Sequence, residues 1–275
     1  MFVAKEIKFQ MRAVLTSAML ETIYKLPRDI LKISCADYGD GIISGLNFFQ
    51  KDNDIYISAG IIKAGKKFYF AEDDEINLSA FFNENRPVKN GKHYAIALCR
   101  LPQEFEKGVG IERLELKIIP AESVLTDANV ILTLGTFQDE CSGLTLPDAD
   151  LKNFLDIYSF YILNVPFACR GGSTFHTYIF SAIKNILQAK SNKTFADFNF
   201  LMQLEQNGVA TLEVVKTYIE ANGGKKLSAS ADREEIFNNL LTALKAEPNV
   251  KEYFKAETAQ ETTFKSNDLI ESHMI

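Results

Sequence analysis

Arg113-Leu114-Glu115-Leu116-Lys117-Ile118 decides how the first half of this chain is read. On an extended backbone Leu114, Leu116 and Ile118 share one face, and Arg113, Glu115 and Lys117 share the other. That is the pattern of a strand with one wet side. The same period recurs upstream. In Asp54-Ile55-Tyr56-Ile57-Ser58-Ala59 the isoleucines face one way, and Tyr94, Ile96 and Leu98 alternate within His93 to Cys99. Val130-Ile131-Leu132-Thr133-Leu134 is more continuously apolar and reads as a central strand. Gly39-Asp40-Gly41, Gly60, Ala64-Gly65, Asn90-Gly91 and Gly108-Val109-Gly110 punctuate these runs as turns. Short strands divided by glycine turns predict an antiparallel β-sandwich or small barrel. A short helix precedes them over Ser17 to Lys25, with Pro27 as its stop.

The period changes near Pro147. Leu151, Phe154, Leu155 and Tyr158 fall at helical spacing behind Asp148-Ala149-Asp150, and Pro166 ends that run. Ser173 or Thr174 is placed to cap a helix carrying Ile179, Ile183, Ile186 and Leu187. Phe195, Phe198, Leu201, Met202 and Leu204 make the next, which stops at Asn207-Gly208. Leu212, Val215, Tyr218 and Ile219 make another, closed by Asn222-Gly223-Gly224, and Ile236, Leu240, Leu241 and Leu244 a last one before Pro248. The expected class is α+β. A β-rich domain spans 1–145, a helical bundle 146–250, and a polar, flexible tail 251–275.

Composition excludes several roles. The chain has 275 residues, is 47% hydrophobic and 24% charged, and carries a net charge of −6. Such a length is enough to bury a large core without disulfides or metal. Non-specific nucleic-acid binding rests on basic charge, which this balance lacks. No 18-residue apolar run exists to span a membrane. Met1 to Arg12 alternates apolar and charged residues and has no apolar core of a secretory signal, so synthesis in the cytoplasm is expected. Cys35, Cys99, Cys141 and Cys169 are scattered and read as buried, reduced small hydrophobes.

No set of residues announces catalysis, a metal or a cofactor. His93, His176 and His273 form neither HxH nor HExxH, and His176 reads as structural. Arg170-Gly171-Gly172-Ser173-Thr174 has glycines ahead of a helix but lacks the spacing and lysine of a phosphate loop, so a turn with a capping hydroxyl is expected. Asp52-Asn53-Asp54 lacks the Gly and distal Glu of a calcium loop and reads as a hairpin turn. The carboxylates Asp73, Asp74, Glu75, Asp139, Glu140, Asp148 and Asp150 show no pairing that sequence can establish. Ser44-Gly45 and Ser142-Gly143 do not complete a nucleophile elbow. Phe48-Phe49 and Phe81-Phe82 are adjacent aromatic pairs. In a strand one ring of each points away from its own core, which marks all four as interface candidates.

Leu26-Pro27-Arg28-Asp29-Ile30, then Tyr38-Gly39-Asp40-Gly41-Ile42-Ile43-Ser44-Gly45-Leu46, then Ile55 to Tyr69, carries a resemblance. These runs resemble the opening β-domain of phage-tail and baseplate proteins. Ile118-Ile119-Pro120 and Asn129 to Gly135 resemble its closing strands. A β-domain followed by helices is also similar in architecture to the trimeric baseplate adaptor of type VI secretion. The resemblance covers residues 15–137. It implies a scaffold in which Gly41, Gly45, Gly60 and Gly65 are structural turns or bulges, with no catalytic residue and no cofactor. It further implies a baseplate or adaptor subunit of a tail or contractile injection particle, self-associating as a trimer and bound to other tail proteins. The alternatives are a carbohydrate- or receptor-binding tail module that stacks Phe48 or Phe49 on sugar rings, and a cell-wall glycan hydrolase.

Overall fold

The computed structural model describes residues 16–71, 73–106, 109–147 and 160–245. It is an α+β protein, with antiparallel sheets first and helices after them. The chain begins with α1 (Ser17–Ser34), whose first turn is capped by Thr16, its hydroxyl accepting from the Met19 amide at 3.2 Å. This helix does not stop at Pro27 but passes through it. Proline removes one helical hydrogen bond, and the good helix formers on both sides of it carry the helix on.

Strands β1 (Gly41–Gly45), β2 (Phe48–Lys51), β3 (Asp54–Ser58), β4 (Gly60–Ala64), β5 (Lys67–Phe70) and β6 (Glu75–Asn77) follow. The expected hairpin at Asp52-Asn53 joins β2 to β3, both residues having the positive φ of a tight two-residue turn. Helix α2 (Leu78–Glu84) was not legible as such. Asn77 caps it by accepting from the Ala80 amide at 2.8 Å, so Phe81-Phe82 lies on a helix rather than a strand.

The second sheet contains β7 (His93–Arg100), β10 (Leu114–Pro120) and β11 (Val130–Gln138), with the ribbon β8 (Glu104–Glu106) and β9 (Val109–Ile111) inserted. Its order is β10-β7-β11. The central strand is therefore β7 and not the one begun by Val130. Ala95 to Cys99 are all buried, since Ala and Cys are small enough to be covered on the second face while Ile96 and Leu98 fill the first. β10 keeps the alternation read from its sequence, with Glu115 and Lys117 exposed.

Two further strands, β12 (Phe167–Cys169) and β13 (Gly172–Thr174), lie in the stretch expected to be helical. β12 pairs with β1 in parallel, Ile42 opposite Phe167, and completes the order β13-β12-β1-β4-β5. This departs from an all-antiparallel domain, and among the described residues the sheets do not close into a barrel. Pro166 does not end a helix here. Its carbonyl accepts from the Ile42 amide at 2.9 Å and aligns the new strand.

Helices α3 (Thr177–Ala189), α4 (Phe195–Asn207), α5 (Leu212–Ala221) and α6 (Arg233–Lys245) follow. Thr174 does not cap α3, because it lies in β13 and its hydroxyl donates to the Ala210 carbonyl. Gly208 and Gly223 have the left-handed φ expected after α4 and α5. The packing divides the chain into two units, the first running to Ile183 and taking in Asn207–Leu212, the second holding Lys184–Gln206 and the chain from Glu213. The division falls inside α3 rather than at residue 146, because β12 and β13 belong to the first unit's sheet. The first unit's core includes Ile42, Phe48, Phe82, Phe137, Phe160 and Phe175. That of the second includes Phe200, Leu204, Val215, Ile219, Phe237 and Leu240. The helix read over residues 151–158 and the tail after 250 lie outside the described residues.

Candidate functional site

The titratable side chains that sequence or burial singles out are each held by local structure. His176, immediately before α3, is fully buried. Its Nε2 donates to the Leu46 carbonyl at 3.0 Å, and its Nδ1 accepts from the Tyr178 amide at 3.1 Å. The ring lies against Phe48 and Phe167, with centroids 4.8 and 6.1 Å away. Burial pushes its pKa down to about 4. The imidazole is thus neutral near pH 7, with both nitrogens occupied, which agrees with the structural role read from sequence.

Glu112 lines a cleft of about 450 Å³ together with Ile57, Ile62, Phe68, Phe70, Leu98 and Leu114 among others. Its carboxylate accepts from Lys67 and from the Tyr69 hydroxyl, and Arg100 Nε approaches to 2.9 Å. Those bonds from Lys67 and Tyr69, with Arg100 beside them, hold Glu112 below the usual carboxylate range. Burial, then the bond to Glu112, pushes the Tyr69 phenol up. An acid fixed as an anion by two donors and an adjacent guanidinium ties β5 and β7 to the residues before β10. It is poorly suited to deliver a proton. Nothing in sequence pointed to Glu112, since its partners come from two strands, β5 and β7, distant from it along the chain.

Asp139 is buried after β11, and its Oδ2 accepts from the amides of Asn90 and Lys92. Those amide bonds, with Asn90 foremost, hold its carboxyl below the ordinary range. The side chain pins the Asn90-Gly91 turn ahead of β7. Its neighbour Glu140 is exposed, as are Asp73, Asp74 and Glu75. Glu75 pairs with Lys51 at 3.1 Å. Asp148, Asp150 and His273 lie outside the described residues.

In the second unit Asp197 is buried in the first turn of α4. Thr194 Oγ1 accepts from the Asp197 amide at 3.0 Å, and Asp197 Oδ2 accepts from the Thr194 amide at 2.7 Å, a reciprocal cap. Tyr218 donates to Oδ1 at 2.6 Å, and Lys190 Nζ lies 2.9 Å from Oδ2. Burial pushes this carboxyl up, but the bonds from Lys190, Tyr218 and Thr194 outweigh it and hold the pKa low. Burial and Asp197 together push the Tyr218 phenol up. The spacing Thr194-x-x-Asp197 is the sequence signal that would have found the cap.

The other sequence candidates resolve into architecture. Arg170 to Thr174 is the β12–β13 hairpin, not a loop opening a helix. Gly171 donates its amide to the Asp37 carbonyl, while the Gly172 carbonyl accepts from Gly39. Gly41 and Gly45 close the two ends of β1, Gly60 opens β4, and Gly65 turns β4 into β5. Gly45, at φ +70°, faces Gly60 so closely that a Cβ on it would lie 2.0 Å from the Ala59 carbonyl oxygen. Phe48 and Phe82 are core residues, which removes them from the interface candidates. Phe82 meets Phe137 edge to face at 5.0 Å. The half-buried Phe49, stacked on Tyr56 at 5.7 Å, and Phe81 are the members of each pair that reach the surface. All four cysteines are buried. Among the described residues no three His, Cys, Asp or Glu side chains gather to hold a metal ion, and no helix is long and apolar enough to cross a membrane.

Most of the exposed large apolar side chains lie on two helices. On α1, Ile23, Leu26, Ile30 and Ile33 are 46%, 44%, 56% and 77% exposed, and Leu20 and Tyr24 lie open beside them. On α4, Phe195, Phe198 and Met202, at one-face spacing, are each more than half exposed. Sequence placed helices over Ser17 to Lys25 and from Phe195 to Asn207, but a 3.6-residue period shows that a face is apolar and not what covers it. The chain matches no protein-family model and no curated protein, and its structure matches no solved structure.

Proposed function

We propose that this chain is a non-enzymatic structural subunit of a phage-derived tail or contractile injection particle. In this reading it acts as a baseplate or adaptor scaffold through protein–protein interfaces. The carrying observation is that each of the two units bears an exposed helical row of large apolar side chains, on α1 in the first and on α4 in the second. A contiguous apolar patch of this kind on a folded chain marks an interaction surface. A subunit with one such row on each unit is built to join neighbours. The sheets of the first unit then serve as a sandwich-like docking domain, and α3 to α6 as a helical bundle presenting the second contact. The tail-particle context comes from the resemblance of residues 15–137 and adds no chemistry of its own.

Sedimentation of the purified chain across a hundredfold concentration range tests this. A stable assembly at a multiple of the 30.9 kDa chain mass is expected. A monomer throughout the range would remove self-assembly from the reading. The carbohydrate-binding alternative retains one supporting observation, the Phe49–Tyr56 stack, with Lys51 Nζ 5.6 Å from the centre of the Tyr56 ring. It requires saturable glycan binding that Phe49→Ala abolishes.

A further inference from the structure

We infer that the segment Ile7–Arg12 of a second copy of this chain adds as a strand to the open edge of β5, with Phe9 seated in the cleft beside Tyr69. The inference rests on the assembly reading above and names one contact within it. It concerns the contact and not the number of copies, since exchange of this kind closes on two subunits or more. β5 is the last strand in the order β13-β12-β1-β4-β5, so one side of it has no strand beside it. The Ala71 amide donates to the Gly60 carbonyl of β4 at 3.0 Å. Backbone groups alternate sides along a strand, so those of Tyr69 and Lys67 also face β4, while the N–H and C=O of Phe68 and Phe70 face outward. No backbone partner for those two occurs among the described residues, and the Phe70 side chain is 62% exposed. An edge with unpaired backbone and apolar side chains is a template for a further strand.

The two faces of this edge differ. Tyr69 stands opposite the buried Ile62, and its hydroxyl donates to Glu112, so it lies on the side of the cleft. Phe68 and Phe70 point to the other face. A strand added here must be apolar toward the cleft and is free to be polar away from it. Ile7-Lys8-Phe9-Gln10-Met11-Arg12 has that pattern, with Ile7, Phe9 and Met11 on one face of an extended chain and Lys8, Gln10 and Arg12 on the other. It lies outside the described residues. Residues 148–159 and 246–275 do so too, but contain no run of this period. Set antiparallel with Phe9 opposite Tyr69, the segment brings Gln10 opposite Phe68 and Lys8 opposite Phe70. Those are the two positions with outward backbone groups, and each takes a pair of hydrogen bonds there. The stems of Lys8 and Gln10 then lie along the two phenyl rings.

The donor is a second copy because of where α1 puts the segment. Asp40 Oδ1 accepts from the Gly65 amide at 2.8 Å, which sets the chain leaving α1 beside the turn into β5. α1 itself spans roughly 27 Å over its 18 residues. No side chain described in it is buried, so it is not packed along the unit. The stretch from Met11 to Thr16 reaches roughly 17 Å when fully extended. That falls short of the length of the helix it would have to retrace, whereas a neighbouring copy's α1 can carry its segment across.

The test uses full chains. Gln10→Cys and Phe68→Cys are made in separate proteins, the native cysteines being buried. Mixed and mildly oxidised, they should give a product at twice 30.9 kDa that contains one chain of each. Gln10→Cys mixed with Lys225→Cys, on the second unit, should not. In sedimentation equilibrium, Phe9→Lys should raise the half-dissociation concentration of the assembly about ten- to a hundredfold, the worth of one large buried side chain. Lys8→Gln, on the outward face, should leave it unchanged. An assembly that Phe9→Lys leaves intact, or that forms without the mixed cross-link, overturns this inference and leaves the scaffold reading standing. A wild type that is monomeric throughout overturns both. A chain carrying both cysteines that closes the disulfide within itself places the segment on its own copy and overturns the exchange.

Discussion

Replacing His176 with glutamine tests whether the imidazole is the buried, neutral post described above. Glutamine keeps a donor for the Leu46 carbonyl but cannot titrate. In the folded protein burial lowers the His176 pKa to about 4, against 6.5 for the exposed ring. The unfolded chain therefore takes up the proton first as pH falls. The histidine's contribution is complete above pH 6.5, declines as pH drops, and is fully lost below about 4. Each pKa unit is about 1.4 kcal/mol, so the loss is about 2 kcal/mol by pH 5 and about 3 kcal/mol by pH 4. For a unit of this size 2 kcal/mol corresponds to a drop of about 4–8 °C in melting temperature. Glu112 and Asp139 share the unit, but their lowered pKa values keep them charged through the window from pH 7 to 5. Thermal unfolding followed by far-UV circular dichroism should show wild type losing this stability over that window. His176→Gln, whatever its offset at pH 7, should be flatter by the same amount. Parallel pH profiles for the two proteins, or a His176 ring proton in NMR titrating near 6.5, would refute the argument.

Phe82→Ala should destabilise the first unit by about 3–5 kcal/mol, since the ring is fully buried against Phe137. Phe81→Ala, half-buried on the same helix, should cost clearly less in urea unfolding, and equal costs would contradict the placement of α2. Gly45→Ala should lower stability by more than the ordinary ~1 kcal/mol of a surface change. Both its positive φ and the Ala59 carbonyl oppose a side chain there, and a neutral result in thermal unfolding would mean that β1 and β4 sit further apart. Asp197→Asn leaves Lys190 without its counter-charge and should destabilise the second unit by about 3 kcal/mol. Because the Asp197 pKa is lowered on folding, wild type should lose that advantage only as pH falls below about 4, measured by amide hydrogen exchange in α4 and α5.

Periodicity alone determined much of this protein. The alternation in 113–118 is that of β10, the Asp52-Asn53 turn is a hairpin, and α4, α5 and α6 begin and end close to where caps, glycines and the 3.6-residue period place them. These features are local, set by which backbone conformations a few neighbouring residues tolerate. What the sequence could not show depends on partners distant along the chain. Phe167–Cys169 is too short to declare a strand until Ile42 pairs with it across 125 positions. Asn77 turned the Phe81-Phe82 pair onto a helix through a single side-chain bond. The knot around Glu112 draws on Lys67, Tyr69 and Arg100, which only sheet packing brings to one place. Most consequentially, α1 carries an apolar face of the same kind as those of α5 and α6, and α4 an apolar row beside its buried Phe200 and Leu204, yet these are left in water. An apolar period is a property of the segment; burial is a property of whatever the tertiary structure sets against it.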